Sequence, residues 1–363
     1  MSAAALEHYG LPLALRAAIA ARELKSEIPA RVTAVHKERY ALVCDRGECH
    51  GRLKSAVYFN SGSDPFPTTG DFVMIQYNEQ GDSVITQTLP RHSYFARKNP
   101  TLGEGEQAVA ANFDSVFIMQ SLNHDFNPKR LERYLTLAWQ SGAMPVVVLT
   151  KADLVEDCQG QVGEARRVAA GVDVFAVSVK NGYGMDALGA YLTPGKTIVL
   201  LGSSGVGKSS FVNALSGGER MAVNEIREDD SKGRHTTTHR QLLLLPSGVM
   251  IIDTPGMREL GMLDASAGLS ESFADVEQYF GLCRFSDCRH EGEPGCAVQA
   301  AISAGELPKE RLESYQKLRR ESQYALDSAA YLRQKQQRYT GIAKFSKSLQ
   351  KSGGKRGAYD RED

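Results

Sequence analysis

Several things are scarce in this chain, and each scarcity narrows what it can be. Its 363 residues carry no net charge, 43 Lys and Arg against 43 Asp and Glu. The average therefore points to no polyanionic partner; only a local excess of basic residues could. No uninterrupted apolar run approaches the ~20 residues of a membrane-spanning helix, so no membrane partner is expected. The apolar stretch from Leu11 to Ala21 has no Lys or Arg before it and is broken by Arg16. It reads as a short amphipathic helix rather than a secretion signal. No internal repeat is present. Cysteines number six, and three of them, Cys283, Cys288 and Cys296, crowd around His290. That distribution is too uneven for a disulfide framework and suits a metal site in a reducing compartment, so a cytoplasmic protein is expected.

What is present is ordinary for a soluble globular chain of two or three domains, with 42% hydrophobic and 24% charged residues. Residues 29–90 alternate as short strands: Ala30–Val35, Tyr40–Val43, Cys49–Leu53, Asp71–Tyr77 and Ser83–Gln87. Turn residues separate them, and five short strands at this spacing predict a small barrel, of which the oligonucleotide-binding (OB) type is one case. Pro90 to Asn112 reads as a connector. An α/β pattern follows, with buried strands at Phe113–Met119, Pro145–Leu149, Val174–Val177 and Thr197–Leu201 and a helix over Pro128–Gln140. A hairpin is expected to turn at Pro246–Gly248. Such runs predict a largely parallel sheet covered on both faces. After Gly261 come the Cys/His cluster, a helical stretch from Pro308 to about Arg338, and a basic tail with Lys347, Lys351, Lys355 and Arg356.

The strand Thr197–Leu201 runs into Gly202-Ser203-Ser204-Gly205-Val206-Gly207-Lys208-Ser209, which fits G-x-x-x-x-G-K-[ST] and leads, through Ser210, into a helical pattern. Glycines let backbone N–H groups curl around phosphates at the positive end of a helix. Lys208 would reach the terminal phosphates and Ser209 would bind Mg²⁺. Asp253-Thr-Pro-Gly256 follows a later strand, where Asp253 can hold the metal's water shell and the Gly256 N–H can sense a γ-phosphate. Between them lies Gly233-Arg-His-Thr-Thr-Thr238, of which Thr237 or Thr238 would complete the magnesium shell. Thr150-Lys151-Ala152-Asp153 ends the strand Pro145–Leu149. A carboxylate at Asp153 can accept from both the ring N–H and the exocyclic amine of guanine, a pair adenine does not offer. This argues against an ATP-dependent kinase or ATPase. Lys151 would lie along the base, and Ser178-Val179-Lys180 would meet the guanine oxygen through its backbone. Asn is usual where Thr150 stands. The parts are those of a GTPase, but the base-reading loops precede the phosphate loop, so the domain is circularly permuted, which surface termini tolerate.

The spacing Cys283-x4-Cys288-x-His290-x5-Cys296 supplies four ligands, which fits a closed structural Zn²⁺ site, one per chain. Cys44, Cys49 and His50 form a weaker cluster that reads as cysteines paired across a hairpin.

Together these residues closely resemble the ribosome small-subunit-dependent GTPase A family of circularly permuted GTPases, over about residues 30 to 340. The resemblance implies an α/β P-loop GTPase domain with an N-terminal five-stranded OB-type barrel and a C-terminal helical zinc-binding domain. The divisions expected are an extension over 1–28, a barrel over 29–92, the GTPase over 93–265, the zinc domain over 266–345 and a basic tail over 346–363. It further implies a monomer that binds GTP and GDP, contacts rRNA, and acts late in small-subunit maturation with hydrolysis stimulated by the subunit. Met257 follows the Gly256 position and cannot orient water as a glutamine would. The family pattern points instead to His235, with His239 a poorer candidate. The other reading is a GTP-binding RNA scaffold with negligible hydrolysis of its own.

Overall fold

The structure, a computed structural model, describes residues 4–21, 27–36, 39–54, 58, 66–98, 106–123, 125–218, 241–253 and 265–325. Two short helices, α1 (Ala4–His8) and α2 (Leu13–Ala20), precede a ring of five strands. These are β1 (Glu27–His36), β2 (Arg39–Cys44), β3 (Gly47–Leu53), β4 (Phe72–Gln76) and β5 (Ser83–Thr88). β1 pairs antiparallel with both β2 and β4, while β5 pairs antiparallel with β4 and parallel with β3, so the sheet closes without an edge. Where β3 pairs with β5, a Cβ on Gly51 would lie 2.7 Å from Leu42 Cδ1, so a larger residue would have to displace that side chain. The ring interior holds Ala30, Val32, Leu42, Val73, Ile75 and Ile85. Its outer face is not all solvent: Val43, Phe72, Met74 and Leu89 are covered by Leu6, Leu11 and Ile19 of the leading helices. The segment read in sequence as an N-terminal extension thus covers one side of the barrel.

The stretch read as a connector contains a two-stranded antiparallel ribbon, β6 (Tyr94–Lys98) with β7 (Glu106–Ala111). Polar residues and Ala mask its alternation, so the sequence reading gives the connector without its paired strands. Phe95 stacks on Phe113 at 4.9 Å between centroids, which binds the ribbon to the next layer.

The remaining strands are β8 (Ser115–Ser121), β9 (Met144–Thr150), β10 (Val174–Ala176), β11 (Thr197–Leu201), β12 (Gln241–Leu244) and β13 (Met250–Asp253). Their order is β10-β9-β8-β11-β13-β12, parallel except for β12, which forms the expected hairpin with β13. Strands such as β8 and β11 are buried along their whole length because helices cover both faces. One helix, α3 (Pro128–Gln140), has Pro at its first turn and an Asn127 side chain that accepts from the Arg130 N–H, both ordinary starts for a helix. The helix α4 (Gln159–Val168) shares the face of α3 through Val162 and Ala165, and α5 (Lys208–Ser216) covers the other face through Phe211 and Val212.

The barrel and this sheet are continuous: β1 meets β12 at Ala34 and Gln241. Arg31 fixes the junction. Its fully buried guanidinium donates to the Gly70, Tyr9 and Asn112 carbonyls, to Thr197 Oγ1 and to Met250 Sδ. Leading segment, barrel and parallel sheet therefore share one cation. Burial pulls its pKa down to about 10, so it keeps its charge at neutral pH.

The C-terminal part consists of α6 (Ser266–Ser272), α7 (Ala274–Glu277), α8 (Ala297–Ser303) and a helix over 309–325. It docks on α3. A Cβ on Gly268 would lie 2.1 Å from the Thr136 carbonyl, so glycine lets α6 approach the helix backbone. Arg311, buried, bridges Glu132 of α3 at 2.8 Å and Asp275 at 2.9 Å, and Arg133 makes a two-pronged pair with Glu321 at 2.6 and 2.7 Å.

Candidate nucleotide site and metal centre

The five parallel strands all end at one edge, and the predicted nucleotide residues gather there, as ligands do at the carboxyl edge of such sheets. Gly202 follows β11 directly. A Cβ there would sit 2.5 Å from the Met119 carbonyl of β8, so only glycine lets the loop leave the sheet. Gly205 at φ 78° and Gly207 at φ 101° take left-handed conformations, which turn the loop back into α5. Lys208 Nζ donates to the Gly202 and Ser203 carbonyls at 2.8 and 2.6 Å, so its ammonium lies over the cradle. Ser209 and Ser210 are half-buried on the first turn of α5, and Ser204 is exposed.

Thr150 has a structural role despite departing from the usual residue. Its buried hydroxyl donates to the Val206 carbonyl at 2.6 Å, joining the end of β9 to the phosphate loop. A threonine is long enough for this because β9 is separated from β11 only by β8. Next to it, Lys151 takes a left-handed conformation at φ 60° and opens a single 3-10 turn over Ala152–Leu154. That turn is held by Ala152 N–H donating to the Val177 carbonyl at 3.1 Å. Asp153 Oδ1 accepts from the buried Ser178 hydroxyl at 2.7 Å, so the carboxylate is oriented by the second predicted guanine segment. Beyond it Val179 is half-buried and Lys180 is exposed.

Ile252 stands opposite Val199 in the parallel pair β13–β11, which puts the Asp253 backbone beside Leu200, at the phosphate-loop end of the sheet. Gly256, Met257, His235, Thr237, Thr238 and His239 lie outside the described residues.

The second cluster is compact. The ligand atoms of Cys283, Cys288, His290 and Cys296 all lie within 4.8 Å of one another. His290 Nδ1 is 3.5, 3.6 and 3.4 Å from the three sulfurs in turn, and Cys283 Sγ is 4.0 Å from Cys296 Sγ. A tetrahedral ion with S ligands at ~2.3 Å and N at ~2.0–2.1 Å has edges of about 3.6 Å between N and S and about 3.8 Å between sulfurs. The four side chains thus fit a metal of this size, and they are spaced for coordination rather than for hydrogen bonding. Three thiolates this close would repel one another, and a divalent cation at their centre would let them ionise together.

Supporting contacts hold the ligands. Backbone N–H groups of Ala297 and Gln299 point at the Cys283 and Cys296 sulfurs at 3.4 and 3.5 Å. The His290 ring stacks on Phe280 at 4.4 Å, and Gln299 Nε2 donates to the His290 carbonyl at 2.7 Å. Glu293's own backbone N–H, together with those of Arg289, Glu291 and Gly292, donates to its carboxylate and holds it down at about 2, and these contacts tie the loop into a turn.

Cys44 and Cys49 lie on β2 and β3, joined by the expected hairpin, and both are free thiols. Among the described residues, the only group that could hold a metal is the C-terminal one. No described helix is long and apolar enough to cross a membrane.

Motif reading did not find Arg31, Asp125 or Arg311. Each is an ordinary charged residue in sequence, and the partners that give it a role lie far along the chain: Asn112 and Met250 for Arg31, Ser203 for Asp125, Glu132 for Arg311. A charge at a position otherwise patterned for burial, as Arg31 is within β1, was the one available signal.

Comparison with known proteins bears on the family and the fold. The sequence model of the RsgA GTPase family matches residues 88–263. A model of ABC transporters matches residues 185–343, a stretch that includes the phosphate loop. "Small ribosomal subunit biogenesis GTPase RsgA 1" of Listeria innocua is 47% identical over 90% of this chain and 93% of its own. A relative from Methanosarcina acetivorans, with RsgA in its name, is 43% identical over 80% of this chain and 79% of its own. Among solved structures, YjeQ from Thermotoga maritima is 26% identical with TM-score 0.61, covering 82% of this chain and 98% of that one. YloQ, described as a circularly permuted GTPase, has TM-score 0.57 at 23% identity, covering 84% and 98%, and shares the fold.

Proposed function

Because the chain belongs to the RsgA family of circularly permuted GTPases, as its 47% identity over 90% of its length shows, we propose that its GTP hydrolysis serves late maturation of the small ribosomal subunit. In this reading Asp153 reads guanine, Lys151 lines the base and Ser178–Lys180 meet its oxygen. The loop Gly202–Ser209 cradles the phosphates, with Lys208 on the terminal ones. One Mg²⁺ is held by Ser209 and, through its water shell, by Asp253, with Thr237 or Thr238 completing the set. The Gly256 N–H senses the γ-phosphate. The observation that carries the nucleotide assignment is the Thr150–Val206 hydrogen bond. It closes the base-reading loop onto the phosphate loop although the two occur in rotated order.

The cluster at Cys283, Cys288, His290 and Cys296 holds one structural Zn²⁺ in this proposal, since four protein ligands leave no open coordination position. The barrel and the basic tail contact rRNA, whose recognition draws on phosphates and shape. We divide the chain at 29–92, 93–265 and 266–345, and read it as a cytoplasmic monomer.

His235 is our candidate for positioning the attacking water. The test is GTP turnover with small subunits, large subunits and no ribosome, for the unaltered chain and for His235→Ala. Turnover raised only by small subunits, and lost in His235→Ala with GTP binding kept, is the expected result. Turnover indifferent to the small subunit would overturn the ribosomal reading and favour a GTP-binding scaffold. Turnover unchanged in His235→Ala would remove that residue's role.

A further inference from the structure

The phosphate loop is held on a side its sequence motif does not describe. Ser203 occupies one of the motif's unspecified positions, and its buried hydroxyl donates to the Asp125 carboxylate, 2.8 Å from Oδ1 and 2.7 Å from Oδ2. Asp125 sits in the loop between β8 and α3. Arg130, on the first turn of α3, pairs with its Oδ1 at 2.8 Å and also donates to its backbone carbonyl. The Arg130 Nε is buried without a partner among the described residues. The helix start that carries Arg130 is itself fixed, by Asn127 capping its N–H and by Gln120 bonding both polar groups of the Asn127 backbone.

From these contacts we propose that Asp125 is a positioning residue for nucleotide binding: it fastens Ser203, and with it the backbone cradle of the phosphate loop, to the start of α3. The cradle works only when its N–H groups converge, and a loop with several glycines does not hold that shape by itself. Its far end is fixed by Thr150 through the Val206 carbonyl. Asp125 fixes the near end, where the loop leaves β11. A hydroxyl donating to a carboxylate is among the stronger neutral-to-charged bonds. The same turns of α3 carry Glu132 and Arg133, which dock the C-terminal part through Arg311 and Glu321. The loop is therefore anchored to the one helix that also bears the metal-binding region.

This rests on the nucleotide reading above, and binding of a fluorescent GDP or GTP analogue to the unaltered chain establishes that reading separately. The experiment compares Ser203→Ala, Asp125→Ala and the double variant in the full chain. Affinity for both GDP and GTP is expected to fall about tenfold in each single variant, the order expected for one charge-assisted hydrogen bond. The double variant should lose no more than either single one, because both remove the same bond. The preference for GTP over xanthosine triphosphate should stay as it was, since the Asp153 end is untouched, and the denaturant midpoint read from Trp139 should not move enough to explain the loss. Losses that multiply in the double variant would overturn the proposal, as would unchanged affinity in Ser203→Ala, which removes a single oxygen and remains informative even if Asp125→Ala does not fold.

Discussion

Replacing Arg311 by Met should undock the C-terminal part from α3, and the size of the effect can be worked from the contacts. Arg311 and Glu132 have side chains 8% and 7% exposed, so neither charge is well solvated. Burial alone would lower the Arg311 pKa, but Asp275 and Glu132 more than offset it and hold it above the usual value. The guanidinium also donates to the Ser272 carbonyl and lies 4.1 Å from the centre of the Phe273 ring. Asp275 is 40% exposed, and water can replace its partner, so its arm is worth at most ~1 kcal/mol. Glu132 has no such recourse: Arg311 is the partner of Oε1, and Oε2 has none among the described residues. Removing one member of a buried pair costs about 3–5 kcal/mol, chiefly through the charge left behind.

That account makes a second variant decisive. Changing Glu132 to Met as well removes the stranded carboxylate, and a buried ion pair replaced by apolar side chains is commonly close to neutral. The double variant should therefore recover most of the loss. The assay is urea unfolding followed by fluorescence, because Trp139 is the sole tryptophan and stands half-buried on α3 itself. The slope with denaturant should be similar in all forms, so that midpoints report stability. An Arg311→Met loss below about 1 kcal/mol, or a double variant no better than the single, would refute the reasoning that a stranded charge is what the docking prevents.

Two further outcomes are expected. Chelation of the metal, or Cys288→Ser, should abolish a one-to-one zinc content and raise hydrogen exchange in α8, whose first turn is held by Cys296; unchanged exchange after complete metal loss would contradict a structural role. Asp153→Asn should shift preference from GTP to xanthosine triphosphate, read by competition binding, and an unshifted preference would remove Asp153 from base recognition.

The two sites were legible in the sequence to different degrees. The proposed metal ligands are local: between Cys283 and Cys296 the spacing itself brings four donors together, and the structure needed only to bend the chain there, with His290 at φ 63° and Gly295 at φ 76°. The phosphate loop is likewise one continuous segment between a buried strand and a helix. The five barrel strands were readable from alternation, and their closure is consistent with it. The ribbon β6–β7 was not, since Gln107, Ala108 and Ala110 carry little pattern. Nor was the covering role of α1 and α2, because an amphipathic helix does not say which surface it meets.

What the sequence by itself determined is the motifs carried by contiguous residues: the G-x-x-x-x-G-K-S loop, the Thr150–Asp153 segment proposed to read guanine, the Cys/His cluster proposed to hold a metal, and their rotated order. Short-range geometry suffices for these, because a few bonds along the chain bring the groups together. Only the tertiary structure decided how the parts hold one another. Thr150 on Val206, Asp125 on Ser203, Arg31 at the barrel junction and Arg311 on Glu132 are contacts between distant segments. Their physical basis is burial, which makes each polar group depend on a particular partner, and no single stretch of sequence specifies what will be buried against it.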